Sequence, residues 1–248
     1  MKPNRHSSAQ NQTLIASVPR EERRRTARPT LPEWPGYSRT TKLWLHGKRG
    51  FDVASSTLLL LLCSPVFAVL CVVIPLTSSG PIFFRSKRRG LYGRSFEMLK
   101  FRTMVPQAHQ LRECLVNSSA PDRVIFKLKQ DPRITPLGRL LRKFSVDELP
   151  QLFNVLRGHM SLIGPRPLLK EDFESTANPS LLFRQWVRDR HGLRPGITGL
   201  WQVSGRSDLP LEQSMQLDLH YVTQWIPWLD IKIIFKTPLA ILAGKGAY

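Results

Sequence analysis

The sequence predicts a mainly α-helical chain with one small β-hairpin. It is expected to be a monotopic membrane protein, held by a re-entrant helix broken at Ser64-Pro65 and by interfacial amphipathic helices. Three observations carry this expectation. Residues 53–76 contain no charged side chain, and as one helix of about 36 Å they could cross a hydrocarbon core of about 30 Å. Leu149, Leu152, Phe153 and Leu156 recur at i, i+3, i+4 and i+7, one apolar helix face. Residues 81–84 and 96–102 are strand-like and flank Gly90-Leu91-Tyr92-Gly93, a hairpin pattern.

Charge sets the second constraint. The 248 residues carry 37 Lys and Arg against 18 Asp and Glu, a net charge of +19. A polyanionic partner is therefore expected: nucleic acid, anionic lipid or a phosphorylated substrate. Hydrophobic residues make up 42% and charged residues 22%, which excludes wholesale disorder and low-complexity classes. Three cysteines, without a CxxC pair or a His/Cys cluster, exclude a disulfide scaffold and a structural zinc site.

Three regions follow. Residues 1–41 are polar, rich in Arg and Pro, and carry Glu21-Glu22-Arg23-Arg24-Arg25; they read as a disordered basic arm. Residues 42–79 hold the membrane-inserted segment. In it Ser64-Pro65 interrupts the run, because proline removes an intrahelical hydrogen bond. Each arm is then about 17 Å long, too short to span alone. Lys48 and Arg49 precede the run, and Arg85, Lys87, Arg88 and Arg89 follow it. Lys and Arg mark cytoplasmic flanks, and both flanks qualify. A helix that enters, bends and returns satisfies both observations; a kinked spanning helix is the alternative. Asp52, at the mouth of the run, is read as a cap or as a partner of Lys48 or Arg49, with a solvated interfacial acid as the other reading.

Residues 80–248 form the third region, which holds the hairpin and most of the remaining predicted helices. Its hairpin places Met98, Lys100 and Arg102 on one strand face and Leu99 and Phe101 on the other. Such a basic face suits a phosphate ligand, but a solvated outer face is the commoner explanation. Helices are expected over about 107–129, 138–157, 179–190 and 211–222. The segment 225–242 combines Trp225, Trp228, Ile231, Ile234, Phe235 and Leu239 with Lys232 and Lys236, the composition of a helix lying on a membrane surface; without the preceding apolar run, a plain amphipathic core helix is the equal alternative.

The chemistry concentrates at Ser145-Val146-Asp147-Glu148-Leu149-Pro150. Ser-x-x-Glu is a capping box, and either Ser145 or Asp147 could serve as the N-cap. A capping carboxylate is occupied; a free one is available as nucleophile or metal ligand. Arg139, Arg142 and Lys143 lie just upstream, and Gly164-Pro165-Arg166-Pro167, Arg194-Pro195-Gly196-Ile197-Thr198-Gly199 and Gly205-Arg206 follow. Prolines on both sides of Arg166 restrict its backbone, and its planar fork suits bidentate phosphate binding. Together these residues suggest a diphosphate site with an acid pair able to hold a divalent cation.

Seven motifs stand in the order of a known family. They are Lys-Arg-x-Phe-Asp at 48–52, Ser64-Pro65, Gly80-Pro81-Ile82-Phe83, residues 100–104, residues 141–152, residues 164–167 and residues 194–202. The chain resembles the bacterial sugar transferases, monotopic polyprenyl-phosphate phosphoglycosyl transferases, from Lys48 to Tyr248. It looks most similar to exopolysaccharide-type undecaprenyl-phosphate galactose or glucose phosphotransferases. The resemblance implies that Asp147 attacks the sugar-linked phosphorus of a UDP-sugar, that Glu148 holds Mg²⁺, and that undecaprenyl phosphate accepts the sugar phosphate. It implies phosphate contacts for Arg142 and Arg166. Arg88 and Arg206 match further basic positions without assignment to one phosphate. It also implies re-entry with the break at Ser64-Pro65 and Asp52 nearby. The expected location is the bacterial inner membrane, catalytic domain on the cytosolic face, in contact with anionic inner-leaflet lipids and with downstream glycosyltransferases. One departure is His159, where relatives usually carry an acid; an exposed, tolerant position is the simpler reading, and pH-sensitive metal binding the other. A non-catalytic membrane-anchored scaffold is the alternative function, but it predicts a damaged acid pair. Nucleic acid is not an expected partner, because the uncharged run argues against it.

Overall fold

The computed structural model describes residues 39–108, 111, 131–167, 186–205 and 209–242. Nearly all of the arm expected over 1–41 lies outside the described residues, as do Arg206, most of the helix expected over 107–129 and much of that over 179–190.

The apolar run belongs to one helix, α1 (Arg39–Thr77), which begins inside the stretch expected to be disordered. Ser64-Pro65 does not break it, contrary to the expectation from sequence. Proline at 65 leaves the Leu61 carbonyl without its usual amide donor, and the Ser64 hydroxyl donates to that same carbonyl at 2.8 Å. The neighbouring side chain thus supplies the missing donor and lets the helix continue. From Leu43 to Thr77, α1 is long and apolar enough to cross a membrane.

Both arms of α1 nevertheless bear on the same short helix, α3 (Gln151–Leu156). Arg49 donates to the carbonyls of Val155 at 2.6 Å and Leu156 at 3.0 Å, at the C-terminal end of that helix. Phe67 meets Phe153 edge-on, ring centroids 5.9 Å apart. On a straight helix residues 49 and 67 would stand about 27 Å apart, whereas α3 is about 9 Å long. Between these contacts, residues 57–66 are uncovered or half covered.

Asp52 resolves differently from either pairing considered for it. It is 2% exposed and accepts from the Leu162 amide at 3.0 Å, which fastens α1 to strand β3 (Ser161–Ile163). Its proposed partners are engaged elsewhere: Arg49 on α3, and Lys48 on Asp230 at 2.6 Å. Asp230 also accepts from Tyr221 at 2.7 Å and Trp225 at 3.2 Å. A buried carboxylate with three donors is stable where a bare one would not be.

The hairpin forms, with shifted limits. Strands β1 (Phe83–Arg89) and β2 (Ser95–Phe101) pair antiparallel, Phe83 opposite Phe101 and Arg89 opposite Ser95. The turn uses positive φ at Tyr92 and Gly93. Phe101 packs with Leu70, Ile74 and Leu141. On the opposite face Phe96 and Met98 pack with Val155 and Met160. β2 is thus anchored by Phe96 and Met98 on one face and by Phe101 on the other, while Ser95 and Glu97 are exposed.

One continuous helix over 138–157 is not what forms. Helix α2 (Pro136–Lys143) starts at Thr135, whose hydroxyl accepts from the Gly138 amide at 2.9 Å, with proline at the first helical position. Such a start is favourable. Ser145 then takes a left-handed conformation (φ 55, ψ 22), and a single 3-10 turn, Val146–Glu148, separates α2 from α3. A left-handed residue ends helical propagation.

A second sheet was not foreseen: β3 pairs in parallel with β4 (Gly196–Thr198). Glycine is required here by close approach. A Cβ on Gly196 would stand 2.1 Å from the Gly164 nitrogen. Helices α4 (Leu200–Ser204), α5 (Leu211–Thr223) and α6 (Pro227–Leu242) complete the described chain. On α6, Trp228, Ile231, Phe235, Leu239 and Leu242 are exposed while Asp230 and Ile233 are buried. The expected apolar outer face is therefore present, but Trp225 is not part of it. It is buried in the core with Tyr221 and Ile233, because its indole N–H is drawn to Asp230.

Candidate active site

Asp147 and Glu148 occupy the 3-10 turn that the left-handed Ser145 creates. No side chain of Ser145 caps a helix, and the residue preceding α3 is Pro150. The capping box is therefore not formed, and neither carboxylate is spent on a helix end. Asp147 is 5% exposed. Glu148 is half-buried and lines a cleft with Arg88, Met98, Lys100, Arg166 and Gln202.

Lys100 joins the two acids. Its ammonium is 2.6 Å from Glu148 Oε1 and 3.7 Å from Asp147 Oδ2. The placement follows from β2, where Lys100 is in phase with the buried Phe96 and Met98. Asn154 of α3 fixes that strand: its Oδ1 accepts from the Leu99 amide at 2.9 Å, and its Nδ2 donates to the Glu97 carbonyl at 2.6 Å. The helix that follows the acid turn thus grips the strand that supplies the lysine.

Burial pushes the Asp147 carboxyl above the usual carboxylate range, and the Glu148 charge adds to the rise; Lys100, Arg142 and Arg166 pull it down. Desolvation disfavours the ion, and nearby cations favour it. Arg142 donates through Nε to the Thr103 hydroxyl at 2.9 Å. Its guanidinium is lowered by burial and raised by Asp147 and Asp131. Arg142 is not among the residues lining the cleft; it acts on Asp147 through its charge.

Arg166 enters the cleft from the loop after β3. That loop is locked to β4 by Gly164 N–H donating to Thr198 O at 2.9 Å and Gly196 N–H donating to Pro165 O at 2.9 Å. Its guanidinium lies over the Trp201 ring, 5.9 Å from the centroid. Its carbonyl accepts from Arg190, which pairs with Asp218 at 3.0 Å. Arg88 donates to the Pro167 carbonyl at 3.3 Å, tying β1 to the same loop.

Of the residues singled out from sequence, Arg88, Glu148 and Arg166 meet in one cleft, with Asp147 and Arg142 beside it. Asp52, Ser64 and Pro65 belong to α1 and are not in the lining. Arg206 lies outside the described residues. His159 is exposed against Phe96, centroids 5.7 Å apart, as its tolerant reading expects. Lys100 was underweighted as a solvated face; its phase with two apolar residues was the available signal. Gln151, 2% exposed, and Gln202 carried no signal that pointed to the cleft.

A metal would find a sparse donor set. Among the described residues no group of three or more His, Cys, Asp or Glu side chains is placed to hold an ion. Mg²⁺ commonly takes one or two carboxylates and completes its shell with water and substrate phosphates. Adjacent Asp147 and Glu148 fit that mode, and Glu148, facing the cleft, is the better placed.

Residues 43–244 match the bacterial sugar transferase family. The chain is 38% identical over 205 residues to the exopolysaccharide production protein ExoY of Rhizobium meliloti, covering 81% of this chain and 88% of that one. It is 42% identical to the undecaprenyl-phosphate galactose phosphotransferase of Salmonella typhimurium, over 81% of this chain and 41% of that protein. It is also 42% identical to the undecaprenyl-phosphate glucose phosphotransferase of Komagataeibacter xylinus, over 81% and 37% of the respective lengths. The chain thus spans most of the first relative and about two-fifths of the other two.

Lys100→Met removes the ammonium shared by the two acids. Turnover is expected to fall on the order of 100-fold, and the acid limb of the pH profile to move to higher pH, since the Asp147 carboxyl loses its strongest ionising neighbour. Lys100→Arg keeps the charge and should leave that limb nearer its original position. Rate measurements from pH 5 to 9 check both expectations.

Proposed function

The chain belongs to the bacterial sugar transferase family, and from that premise we propose that it transfers a hexose-1-phosphate, galactose or glucose, from a UDP-sugar to undecaprenyl phosphate. The observation that carries this reading is Asp147: buried, free of any capping role, and flanked by Lys100 and Arg142 at the edge of a cationic cleft.

In this mechanism Arg88 and Arg166 bind the diphosphate, and Lys100 and Arg142 keep the Asp147 carboxylate ionised. An Asp147 oxygen attacks the sugar-linked phosphorus. The bond from that phosphorus to the bridging oxygen breaks, and the oxygen leaves with UMP. A phosphate oxygen of the polyprenyl acceptor then attacks the same phosphorus, the aspartyl bond breaks, and the carboxylate is restored. The products are UMP and a lipid diphosphate sugar, with phosphorus inverted twice. Glu148 would hold Mg²⁺, which supplies charge neutralisation for the diphosphate. Burial of Asp147 limits access of water, which would otherwise hydrolyse the aspartyl acyl phosphate.

The membrane arrangement follows the same proposal. Contacts of both α1 arms with α3 support a re-entrant helix whose middle, around Ser64-Pro65, dips into one leaflet. The exposed apolar face of α6, with Lys232 over the Trp228 ring at 6.0 Å, supports surface contact with anionic inner-leaflet lipids. The catalytic domain then lies on the cytosolic face of the inner membrane, where a UDP-sugar and a lipid-borne phosphate can meet. The product starts an exopolysaccharide or related glycan, which downstream glycosyltransferases extend.

Two experiments test these statements. Detergent-solubilised protein given UDP-galactose or UDP-glucose, Mg²⁺ and a short polyprenyl phosphate should release UMP, and folded Asp147→Asn should release none; undiminished release by that variant overturns the assignment. Single cysteines placed on either flank of residues 53–76, on a cysteine-free background, should be labelled from the same compartment. Labelling from opposite compartments means a spanning helix.

A further inference from the structure

Gln202 stands on the first turn of α4 with its side chain in the cleft wall, 9% exposed. Its Nε2 donates to the Ile197 carbonyl at 2.8 Å. This bond sets the amide's orientation, since rotation by 180° would bring two oxygens together and strand the carbonyl. Close approach of Gly199 holds the other end: a Cβ there would meet Oε1 at 2.9 Å. Oε1 is buried and accepts no hydrogen bond from any described atom. Buried acceptors are nearly always satisfied, and one left open beside a cleft marks a place that a ligand completes.

The charge pattern narrows what completes it. Arg88, Lys100 and Arg166 are donors, suited to phosphate oxygens. A carbonyl oxygen only accepts, so among the donor's own groups it matches an O–H or N–H and not a phosphate oxygen. A UDP-sugar offers such donors on its neutral parts: the hexose hydroxyls and the imide N–H of the base.

We propose that Gln202 Oε1 accepts a hydrogen bond from a hydroxyl or imide N–H of the nucleotide-sugar donor and thereby helps select it. The inference rests on the transferase reading above and deepens it. Selection of this kind is strong because a donor lacking the matching group leaves the buried acceptor open.

The test compares full-length wild type with Gln202→Met, a change close in volume, in detergent with polyprenyl phosphate. The substrates are the UDP-hexose that wild type turns over, its singly deoxygenated analogues, and the hexose carried on N3-methyl-UDP. For the parent donor, kcat/KM should fall about 10- to 100-fold in the variant. One altered donor should lose a similar factor with wild type and lose nothing further with the variant. A deoxy sugar behaving so identifies a hydroxyl; the N3-methyl compound identifies the base. If the variant equals wild type, or if every altered donor is penalised equally in both proteins, Gln202 makes no such contact and the proposal fails. A wild type that releases no UMP from any UDP-hexose defeats the transferase reading, and with it this proposal; activity in wild type without the Gln202 dependence defeats this proposal alone.

Discussion

Two adjacent carboxylates share one ammonium, and that arrangement is the constraint around which the site is built. A lone buried acid takes up a proton; paired acids repel each other and take one up more readily. Lys100 opposes both effects from a strand anchored by the buried Phe96, Met98 and Phe101. The strand is positioned in turn by Asn154, six residues beyond Glu148. Charge compensation and backbone geometry are thereby coupled, because the turn that presents the acids also leads into the helix that holds the lysine.

The same coupling extends to the long apolar helix α1. Asp52 ties α1 to β3, Arg49 ties it to the end of α3, and Lys48 reaches Asp230 on α6. Asp230 gathers Tyr221 and Trp225 as well. These contacts join the apolar run, the surface helix and the loop bearing Arg166 in one hydrogen-bonded frame. A transferase that passes a sugar phosphate to a lipid carrier is served by an apolar helix and an acid pair held in fixed relation. Loss of one partner at these places would strand a buried charge, a costly defect.

Much of this was legible in residue order. The uncharged run, the outer face of α6 and the hairpin are local patterns, and each is present, the hairpin with shifted limits; of the cations expected beside Asp147-Glu148, Arg142 and Arg166 are there. Trp225 looks interfacial by composition, but a carboxylate five residues on draws it into the core. Two other failures share a cause, which is distance along the chain. Asp52 finds a backbone amide more than a hundred residues away. The pairing of β3 with β4 joins segments over thirty residues apart. Ser145 is different: its left-handed turn is local, yet serine gives no hint of it, and an apolar period running through 149–156 suggests an unbroken helix. At Ser64-Pro65 the proline alone predicts a break, whereas the serine before it donates to the carbonyl that proline leaves open and the helix continues.

The central claim is that Asp147 carries the phosphosugar between donor and acceptor. Incubation of the solubilised protein with radiolabelled UDP-hexose and no polyprenyl phosphate, followed by rapid quench, digestion and mass spectrometry, tests it most directly. The account predicts a hexose phosphate adduct on the peptide containing Asp147, discharged when acceptor is added. Label transferred to lipid with no adduct at any time, or an adduct on another residue, would contradict it.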